Sequence, residues 1–160
     1  MNSQRSNEMI TSLPQPAHVV EIADESPNVR TLVSDLRLEA EPGQFVMAWL
    51  PGIDEKPFSL VRADPVTLTI ARVGPFTGAA YSLGIGDPLW LRGPLGQPYT
   101  LPPQQSPTAN SHRPILLLAG GYGVAPLHFL ARRARDAGWQ VSVVVGARTA
   151  ADVVFAGRFA

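Results

Sequence analysis

The sequence contains no cysteine. Its absence excludes disulfide bonds, thiolate zinc sites, a cysteine nucleophile and any iron–sulfur cluster held by thiolates of these residues. The three histidines, His18, His112 and His128, lie far apart, with no carboxylate or second histidine at metal-ligand spacing. We therefore expect solvent-exposed or hydrogen-bonded histidine side chains and no metal site.

The chain also lacks an excess of either charge, since 13 Lys and Arg balance 13 Asp and Glu. A neutral chain has no net field that would attract nucleic acid or an anionic membrane surface. The longest apolar run, residues 114–127, is interrupted by glycines and is shorter than the roughly 20 residues of a membrane span. Residues 1–15 are polar and lack the apolar stretch of a secretory signal. We expect a cytoplasmic protein without a membrane span.

Between residues 17 and 101 the sequence has short, β-branched segments with period-two alternation, separated by Pro and Gly. This pattern is typical of an antiparallel barrel or sandwich. We predict a six-stranded barrel with strands at residues 17–23, 29–38, 44–50, 58–62, 67–73 and 88–92. Residues 51–55 are expected to form a loop, and residues 77–83 a short helix.

Residues 102–113 contain three prolines and no apolar periodicity, which indicates a linker. After it, an apolar strand at 115–119, a helix at 127–137 and a buried-type strand at 141–145 predict a βαβ unit with parallel strands. The predicted organisation is a lead-in (1–16), a barrel (17–101), the linker (102–113) and the start of an α/β domain (114–160). Because two strands and one helix cannot cover both faces of a sheet, we expect the last domain to be truncated. The alternative is a natural short form whose sheet edge is covered by a partner subunit.

The segment Lys56-Pro57-Phe58-Ser59 combines a cation, a rigid ring, an aromatic ring and a hydroxyl. These groups suit a flavin nucleotide, with charge for the pyrophosphate, a ring for the isoalloxazine and a hydroxyl for the flavin N5. The alternative is that the segment only begins a barrel strand, with Phe58 in the core. Lys56 is the single lysine beside twelve arginines. A lone compact ammonium at this position favours a point-charge contact to phosphate.

Two further turns are weaker candidates. Thr77-Gly78 can cap a helix whose first N–H groups face an anion. The turn Gly93-Pro94-Leu95-Gly96, expected to follow a strand, suits either a tight turn or a ligand-lining role.

The strongest motif is the glycine turn with Gly120, Gly121 and Gly123 between the apolar strand and the helix. Glycines allow the backbone to approach a pyrophosphate, Pro126 suits a first helical turn, and the helix N-terminus carries partial positive charge. This is a dinucleotide-binding geometry, although the spacing is not G-x-G-x-x-G. The following strand ends at Gly146-Ala147-Arg148 without an acidic residue for a ribose hydroxyl.

The order PGQFVM, EKPFSL, a Gly/Thr turn, GDPLWLRGPLG and LLAGGYGVAPL resembles the ferredoxin-reductase superfamily of FAD- and NAD-binding proteins. Within it, the sequence is most similar to the electron-transfer subunits of dihydroorotate dehydrogenase, which serve pyrimidine biosynthesis, and to related flavin subunits of NADH-dependent ferredoxin reductases. The resemblance covers residues 17 to about 155.

The resemblance implies an FAD-binding barrel followed by a nicotinamide-nucleotide-binding α/β domain. The residues it implies for FAD are Lys56, Pro57, Phe58, Ser59, Ala71, Arg72, Thr77 and Gly78. Those implied for NAD are Gly120, Gly121, Gly123, Pro126 and Arg148, with Gly146, Ala147 and Asp152 near the adenosine ribose. The family's 2Fe–2S cluster would require cysteines from a continuation beyond these residues.

The function implied by the resemblance is electron exchange through FAD between NAD(H) and a catalytic dehydrogenase subunit in a hetero-oligomer. No residue needs to act as a catalytic acid or base, because the cofactor carries the chemistry. The truncated form is expected to be inactive alone. The alternatives are the flavin subunit of an NADH-dependent ferredoxin or sulfur reductase, and a non-catalytic flavin-binding scaffold. NADP is an alternative to NAD because Arg148 suits a 2′-phosphate, whereas the resemblance favours NAD.

Overall fold

The computed structural model describes residues 13–101 and 113–159. Most of the first range belongs to one antiparallel sheet with the strand order β4-β3-β7-β1-β2-β6-β5. Its seven strands are β1 (Gln15–Ser26), β2 (Val29–Ser34), β3 (Phe45–Leu50), β4 (Asp54–Ser59), β5 (Arg62–Ala63), β6 (Val66–Ala71) and β7 (Pro88–Leu95). A short helix, α1 (Pro75–Tyr81), connects β6 to β7.

The sheet curls around a single core. Alternate residues of β3 point inward, and Val46 and Ala48 are almost completely buried. They share one hydrophobic cluster with Leu68 and Ile70 of β6, near the other end of the strand order. Phe76 of α1 lies in the same cluster. The predicted antiparallel barrel is therefore confirmed, with seven strands instead of six.

The second range forms a strand–helix–strand unit. It consists of β8 (Arg113–Gly120), a 3₁₀ turn (Gly121–Gly123), α2 (Val124–Asp136) and β9 (Trp139–Gly146). The strands are parallel and in continuous register, from Arg113 opposite Trp139 to Gly120 opposite Gly146. The βαβ prediction is thus confirmed. The side chains on the sheet face away from α2 are exposed: Leu116 by 59%, Leu118 by 68% and Val144 by 53%. The single helix thus covers one face of the two-stranded sheet and leaves the other exposed, as the sequence predicted.

The two units share an apolar junction. Val29 and Val61 of the barrel belong to one buried cluster with Val124 of α2 and with Val154 and Phe155 of the last described segment. Two ion pairs, Glu41–Arg133 and Glu25–Arg158, also join the barrel to the second unit. Packing and charge therefore fix the glycine turn relative to the barrel.

The strand boundaries differ most from the sequence prediction around β4. Residues 51–55 were expected to form a loop, but β4 begins at Asp54, which lies opposite Leu50 across a three-residue turn. The turn is this short because Ile53 donates to the Leu50 carbonyl and Gly52 adopts a φ of 79°. Pro57 is tolerated in β4 because β4 is an edge strand.

Other boundaries also differ, among them the following three. Strand β2 ends at Ser34 because Asp35 accepts a hydrogen bond from the His18 amide, at 2.8 Å. Strand β7 continues to Leu95, so Gly93 lies inside a strand and not in a turn after it. A Cβ at Gly93 would lie 2.9 Å from Val46 Cγ1, which gives this glycine a packing role. Helix α2 begins at Val124, three residues earlier than predicted.

The predicted linker at 102–113 lies outside the described residues apart from Arg113, and the domain boundaries remain a prediction. Among the described helices, none combines the length and apolar character that a membrane crossing requires.

Candidate functional site

The segment Lys56–Ser59 lies on the edge strand β4, and its alternation separates two faces. Phe58 is opposite Val46 and Lys56 is opposite Ala48, so both point to the side of the sheet that carries the core. Phe58 is half-buried, and its ring centroid lies 5.9 Å from that of Phe76 in α1. The structure therefore supports the prediction that Phe58 packs against the core. It also places the Phe58 ring where α1 meets the edge strand β4.

Lys56 is half-exposed and forms an ion pair with Asp54, with Nζ and Oδ2 separated by 2.5 Å. The lysine hydrogen bond, together with the Glu55 amide, lowers the pKa of Asp54 below its usual value. Asp54 therefore remains ionised at neutral pH and holds the ammonium at the surface beside Phe58. An anionic ligand would compete with this carboxylate for Lys56.

Thr77 shapes the loop that leads into α1. Its hydroxyl accepts hydrogen bonds from the amides of Val73, at 3.0 Å, and Gly74, at 2.9 Å, and donates to the Gly74 carbonyl at 3.1 Å. A hydroxyl has one donor and two acceptor sites, so these three bonds use its full capacity. Thr77 can therefore serve a ligand through its backbone and through the loop that it fixes. A Cβ at Gly74 or Gly78 would have no atom within 4 Å, so the space above both glycines is open.

Arg72, just after β6, is held by two contacts to neighbouring elements. Its Nη2 donates to Asn28 Oδ1 at 3.1 Å, and its guanidinium lies 5.1 Å from the ring centroid of Tyr81. The guanidinium of Arg30 lies over the same ring at 4.4 Å, and its Nη1 donates to the Tyr81 carbonyl. Arg72 was predicted from the family resemblance, whereas Arg30, 42 positions earlier in the sequence, and Tyr81 belong to no motif of the sequence.

Helix α1 contacts both β4 and β6. It therefore brings together the predicted flavin residues of three separate segments, which are Lys56, Pro57, Phe58 and Ser59, then Ala71 and Arg72, then Thr77 and Gly78. Of these, Pro57 and Ser59 point to the opposite side of the sheet from Lys56 and Phe58, since strand residues alternate. Ser59 is exposed at the end of β4.

The glycine turn lies at the carboxyl end of β8. Gly121 adopts a φ of 51°, a left-handed conformation that favours glycine. A Cβ at Gly120, Gly121 or Gly123 would have no atom within 4 Å, so the backbone there is open to a ligand. Helix α2 has 13 residues and no acidic side chain in its first turn, and Pro126 lies in that turn as predicted. The open N-terminus of α2 suits an anion.

Arg148 lies beside this turn because β8 and β9 end together, with Gly120 opposite Gly146. Its side chain is exposed. Thr149 follows and donates a hydrogen bond to Asp152 Oδ2 at 2.8 Å. The structure therefore places Gly120, Gly121, Gly123, Pro126 and Arg148 at one edge, the edge where parallel α/β sheets bind ligands.

Of the described histidines, His18 is exposed and contacts a carboxylate as expected, whereas His128 is buried against aromatic rings. His18 Nδ1 lies 3.1 Å from Asp35 Oδ2. His128 is 9% exposed, with ring centroids 5.6 Å from Phe155 and 5.4 Å from Phe159. Burial lowers the pKa of His128, and the neighbouring guanidiniums of Arg132 and Arg158 act in the same direction. His112 lies outside the described residues. Within residues 13–101 and 113–159, no group of His, Asp and Glu side chains could hold a metal ion.

Several known proteins with similar sequences are electron transfer subunits of dihydroorotate dehydrogenase B. The probable electron transfer subunit of dihydroorotate dehydrogenase B (NAD(+)) from Methanocaldococcus jannaschii is 36% identical over 146 residues, which are 91% of this chain and 52% of that protein. The chain spans about half the length of the curated relatives it matches. No protein-family model matches the sequence.

Two solved structures show the same fold. The NADH-dependent reduced ferredoxin-NADP oxidoreductase has a TM-score of 0.75 at 24% identity, covering 90% of this chain and 52% of its own. The cytochrome P450 reductase of Amycolatopsis has a TM-score of 0.71 at 32% identity, covering 92% of this chain and 48% of its own. The barrel and the strand–helix–strand unit are thus those of ferredoxin-reductase-type proteins.

Proposed function

The chain belongs to the ferredoxin-reductase-type family of FAD- and NAD-binding proteins, and from this premise we propose that it is the FAD-binding part of an electron-transfer subunit. Its electron donor is NAD(H), and its partner is the catalytic subunit of a dihydroorotate dehydrogenase. The observation that carries the proposal is the convergence of β4, the end of β6 and the start of α1. The choice of dihydroorotate dehydrogenase over a ferredoxin or sulfur reductase follows the relatives' names, as does the choice of NAD. A cytoplasmic location is part of the same proposal.

The groups around the convergence fit FAD. Lys56 offers the pyrophosphate a half-exposed ammonium, while the space above Gly74 and Gly78 is open to it. Phe58 offers a ring at the cofactor edge. Ser59 alternates to the other side but is exposed at the last position of β4, where its hydroxyl is still open to the flavin N5. Arg72, with Ala71, borders the loop that Thr77 holds.

The residues at the end of β8 fit a nicotinamide nucleotide. The pyrophosphate of NAD(H) would lie over Gly120, Gly121 and Gly123 at the N-terminus of α2, with Arg148 beside the adenosine. FAD, when bound, supplies two-electron exchange with NADH and one-electron exchange with a partner. The protein holds and orients the two cofactors and keeps both sites fixed through the junction of Val61 with Val124.

The first experiment asks whether the chain binds FAD. The chain is expressed alone, and its absorbance at flavin wavelengths is recorded before and after addition of FAD. Lys56→Gln is expected to weaken FAD binding by roughly 10-fold or more, because a charge-assisted contact contributes about 1.5–3 kcal/mol. Arg37→Gln, which removes an exposed ion pair on the loop after β2, is the matched control and should bind FAD normally. A folded wild-type chain that ignores added FAD would refute the proposal.

A second candidate function is a flavin-binding scaffold that does not react with NADH. The exposed outer face of β8 and β9 favours it, because a two-stranded sheet covered on one face is a weak support for a nucleotide. The two functions are distinguished by adding NADH to the FAD-loaded chain and measuring whether the flavin absorbance is bleached. Bleaching that disappears in Gly121→Val, while FAD remains bound, supports the nicotinamide site. FAD-loaded wild type that NADH does not bleach supports the scaffold.

A further inference from the structure

The outward face of the barrel carries an unusual set of side chains beside β4. On β3, Met47 and Trp49 point away from the core, since Val46, Ala48 and Leu50 between them are buried. Strand pairing places Trp90 of β7 directly opposite Trp49, and Pro16 of β1 opposite Trp90. We call the set Pro16, Met47, Trp49, Pro57 and Trp90 the tryptophan face. Outward positions of a barrel are ordinarily polar, so this apolar set calls for a partner.

Its composition is that of a protein interface. The two indole rings are partly exposed and lie 5.8 Å apart between centroids, tilted by 55°. Trp, Met and Arg are enriched at interface cores, and Trp and Arg dominate the residues whose loss weakens binding most. A pair of tryptophans at the centre of a sheet provides a large, rigid contact area at low entropic cost.

The charges near the tryptophan face neutralise each other. Arg92 forms two hydrogen bonds with Glu55 across β3, at 3.2 and 3.1 Å, and both side chains are about 70% buried. No unpaired cation is therefore presented beside the tryptophans by these strands. A small acidic electron carrier would need such cations for electrostatic attraction. The face instead suits a partner with an apolar surface and a neutral rim.

The tryptophan face and the proposed flavin site share one strand. Lys56 and Phe58 of β4 point to the flavin side, whereas Glu55 and Pro57 point to the tryptophan face. A protein bound on this face would lie one sheet thickness from the cofactor strand. Because electron transfer slows steeply with distance, a redox partner gains from binding here.

We propose that the tryptophan face is the docking surface for the dihydroorotate dehydrogenase catalytic subunit, with Trp49 and Trp90 as its anchors. This inference rests on the proposed function and adds the surface through which the partner is bound. The partner would contribute an apolar pocket for the two indoles, with a neutral rim. The exposed face of Leu116, Leu118 and Val144 lacks an aromatic anchor and is the comparison surface.

The test is calorimetric titration of the FAD-loaded full chain with the dihydroorotate dehydrogenase catalytic subunit of the same organism. Trp90→Gln is expected to weaken the complex at least about 30-fold, the effect of losing an anchor residue. Pro16→Glu, at an exposed position whose change spares the core, should weaken it about 10-fold by placing a charge in the apolar contact. Val144→Glu is the control and should bind as wild type does.

The outcomes separate this inference from the proposed function. Wild-type chain that binds no FAD refutes the proposed function. FAD-loaded wild-type chain that fails to bind the subunit overturns the proposed partner together with the docking surface. FAD-loaded chain that loses binding through Val144→Glu and keeps it in both tryptophan-face variants overturns the docking surface alone. Sedimentation of the chain by itself tests whether a second copy binds this face. A homodimer that Pro16→Glu abolishes would assign the tryptophan face to a second copy. If Trp90→Gln does not fold, Pro16→Glu decides.

Discussion

The two ion pairs that join the barrel to the second unit should differ strongly in their effect on stability. Glu25 is the more deeply buried acid, since its side chain is 9% exposed and that of Arg158 is 35% exposed. Its carboxylate pairs with the Arg158 guanidinium at 2.5 Å and accepts a hydrogen bond from the Thr31 hydroxyl at 2.7 Å. In the other pair, Arg133 and Glu41 are 50% and 52% exposed, although their contact is equally short at 2.6 Å. Arg158→Gln tests this difference, with Arg133→Gln as its matched control.

The expected magnitude follows from burial. Removing one partner of a buried pair costs about 3–5 kcal/mol, because the other charge is left without compensation. Since water reaches Arg158 in part, we expect about 2 kcal/mol for Arg158→Gln, which at this chain length lowers the melting temperature by about 4–8 °C. An exposed pair contributes about 0–1 kcal/mol, so Arg133→Gln should lower it by at most about 3 °C. Glu25→Gln should be milder than Arg158→Gln, because its amide oxygen still accepts from Thr31 and leaves no buried charge.

Thermal unfolding followed by circular dichroism measures all three variants under one set of conditions. Equal shifts for Arg158→Gln and Arg133→Gln would refute the reasoning, because burial would then have no effect. A shift within about 1 °C of wild type for Arg158→Gln would refute it as well, since a carboxylate this buried should lose stability without its partner. Repetition in high salt gives a second criterion, because only the exposed pair should be screened.

Two further predictions concern the histidine at the junction and the loop at the flavin site. The pKa of His128 is lowered in the folded chain by burial, so the unfolded chain binds protons more readily and stability should fall as the pH drops below about 6.5, by up to about 1.4 kcal/mol per unit. Urea unfolding at pH 7.5 and 5.5 should show this loss in wild type and not in His128→Phe, and equal losses would contradict it. Asp35 and Asp54, whose pKa values are also lowered, lose their contributions only near pH 4 and do not interfere. Thr77→Val removes three hydrogen bonds and should cost about 1–2 kcal/mol and weaken FAD binding, whereas Thr77→Ser should retain both. A Thr77→Val chain that titrates with FAD like wild type would show that the loop is not part of the site.

Much of the architecture could be predicted because the periodicity of the apolar residues changes along the chain. Alternation in the first 101 residues specifies a sheet with one buried face, and the helical spacing after Pro126 specifies a helix on parallel strands. The glycine turn was also predictable, since glycine, proline and a helix start are all local features. What the sequence could not predict was β4, because Asp, Lys and Pro are poor strand formers and only the edge position makes them acceptable.

The parts of the site that depend on distant contacts were not predictable. Thr77 is used by its own loop, which a helix-cap pattern does not reveal. Arg30, Asn28 and Tyr81 meet Arg72 only because β2, β6 and α1 are neighbours in the fold. The tryptophan face was missed for the same reason, since Trp49 and Trp90 are 41 positions apart in sequence and become neighbours only through the register of β3 and β7.

The segment from β4 to Val61 connects the two proposed sites and the proposed docking surface. Its alternate residues point to the flavin side and to the tryptophan face, and Val61 packs against Val124 at the start of α2. The position of the glycine turn relative to the flavin strand is therefore set within a few residues of Lys56. The flavin side, the tryptophan face and the contact of Val61 with Val124 all restrict this edge strand, although its own residues have low strand propensity. Its sequence is therefore explained by these contacts and not by the sheet alone. A partner bound on the tryptophan face would hold the same strand that holds the cofactor, which joins docking to cofactor position without any movement of the barrel.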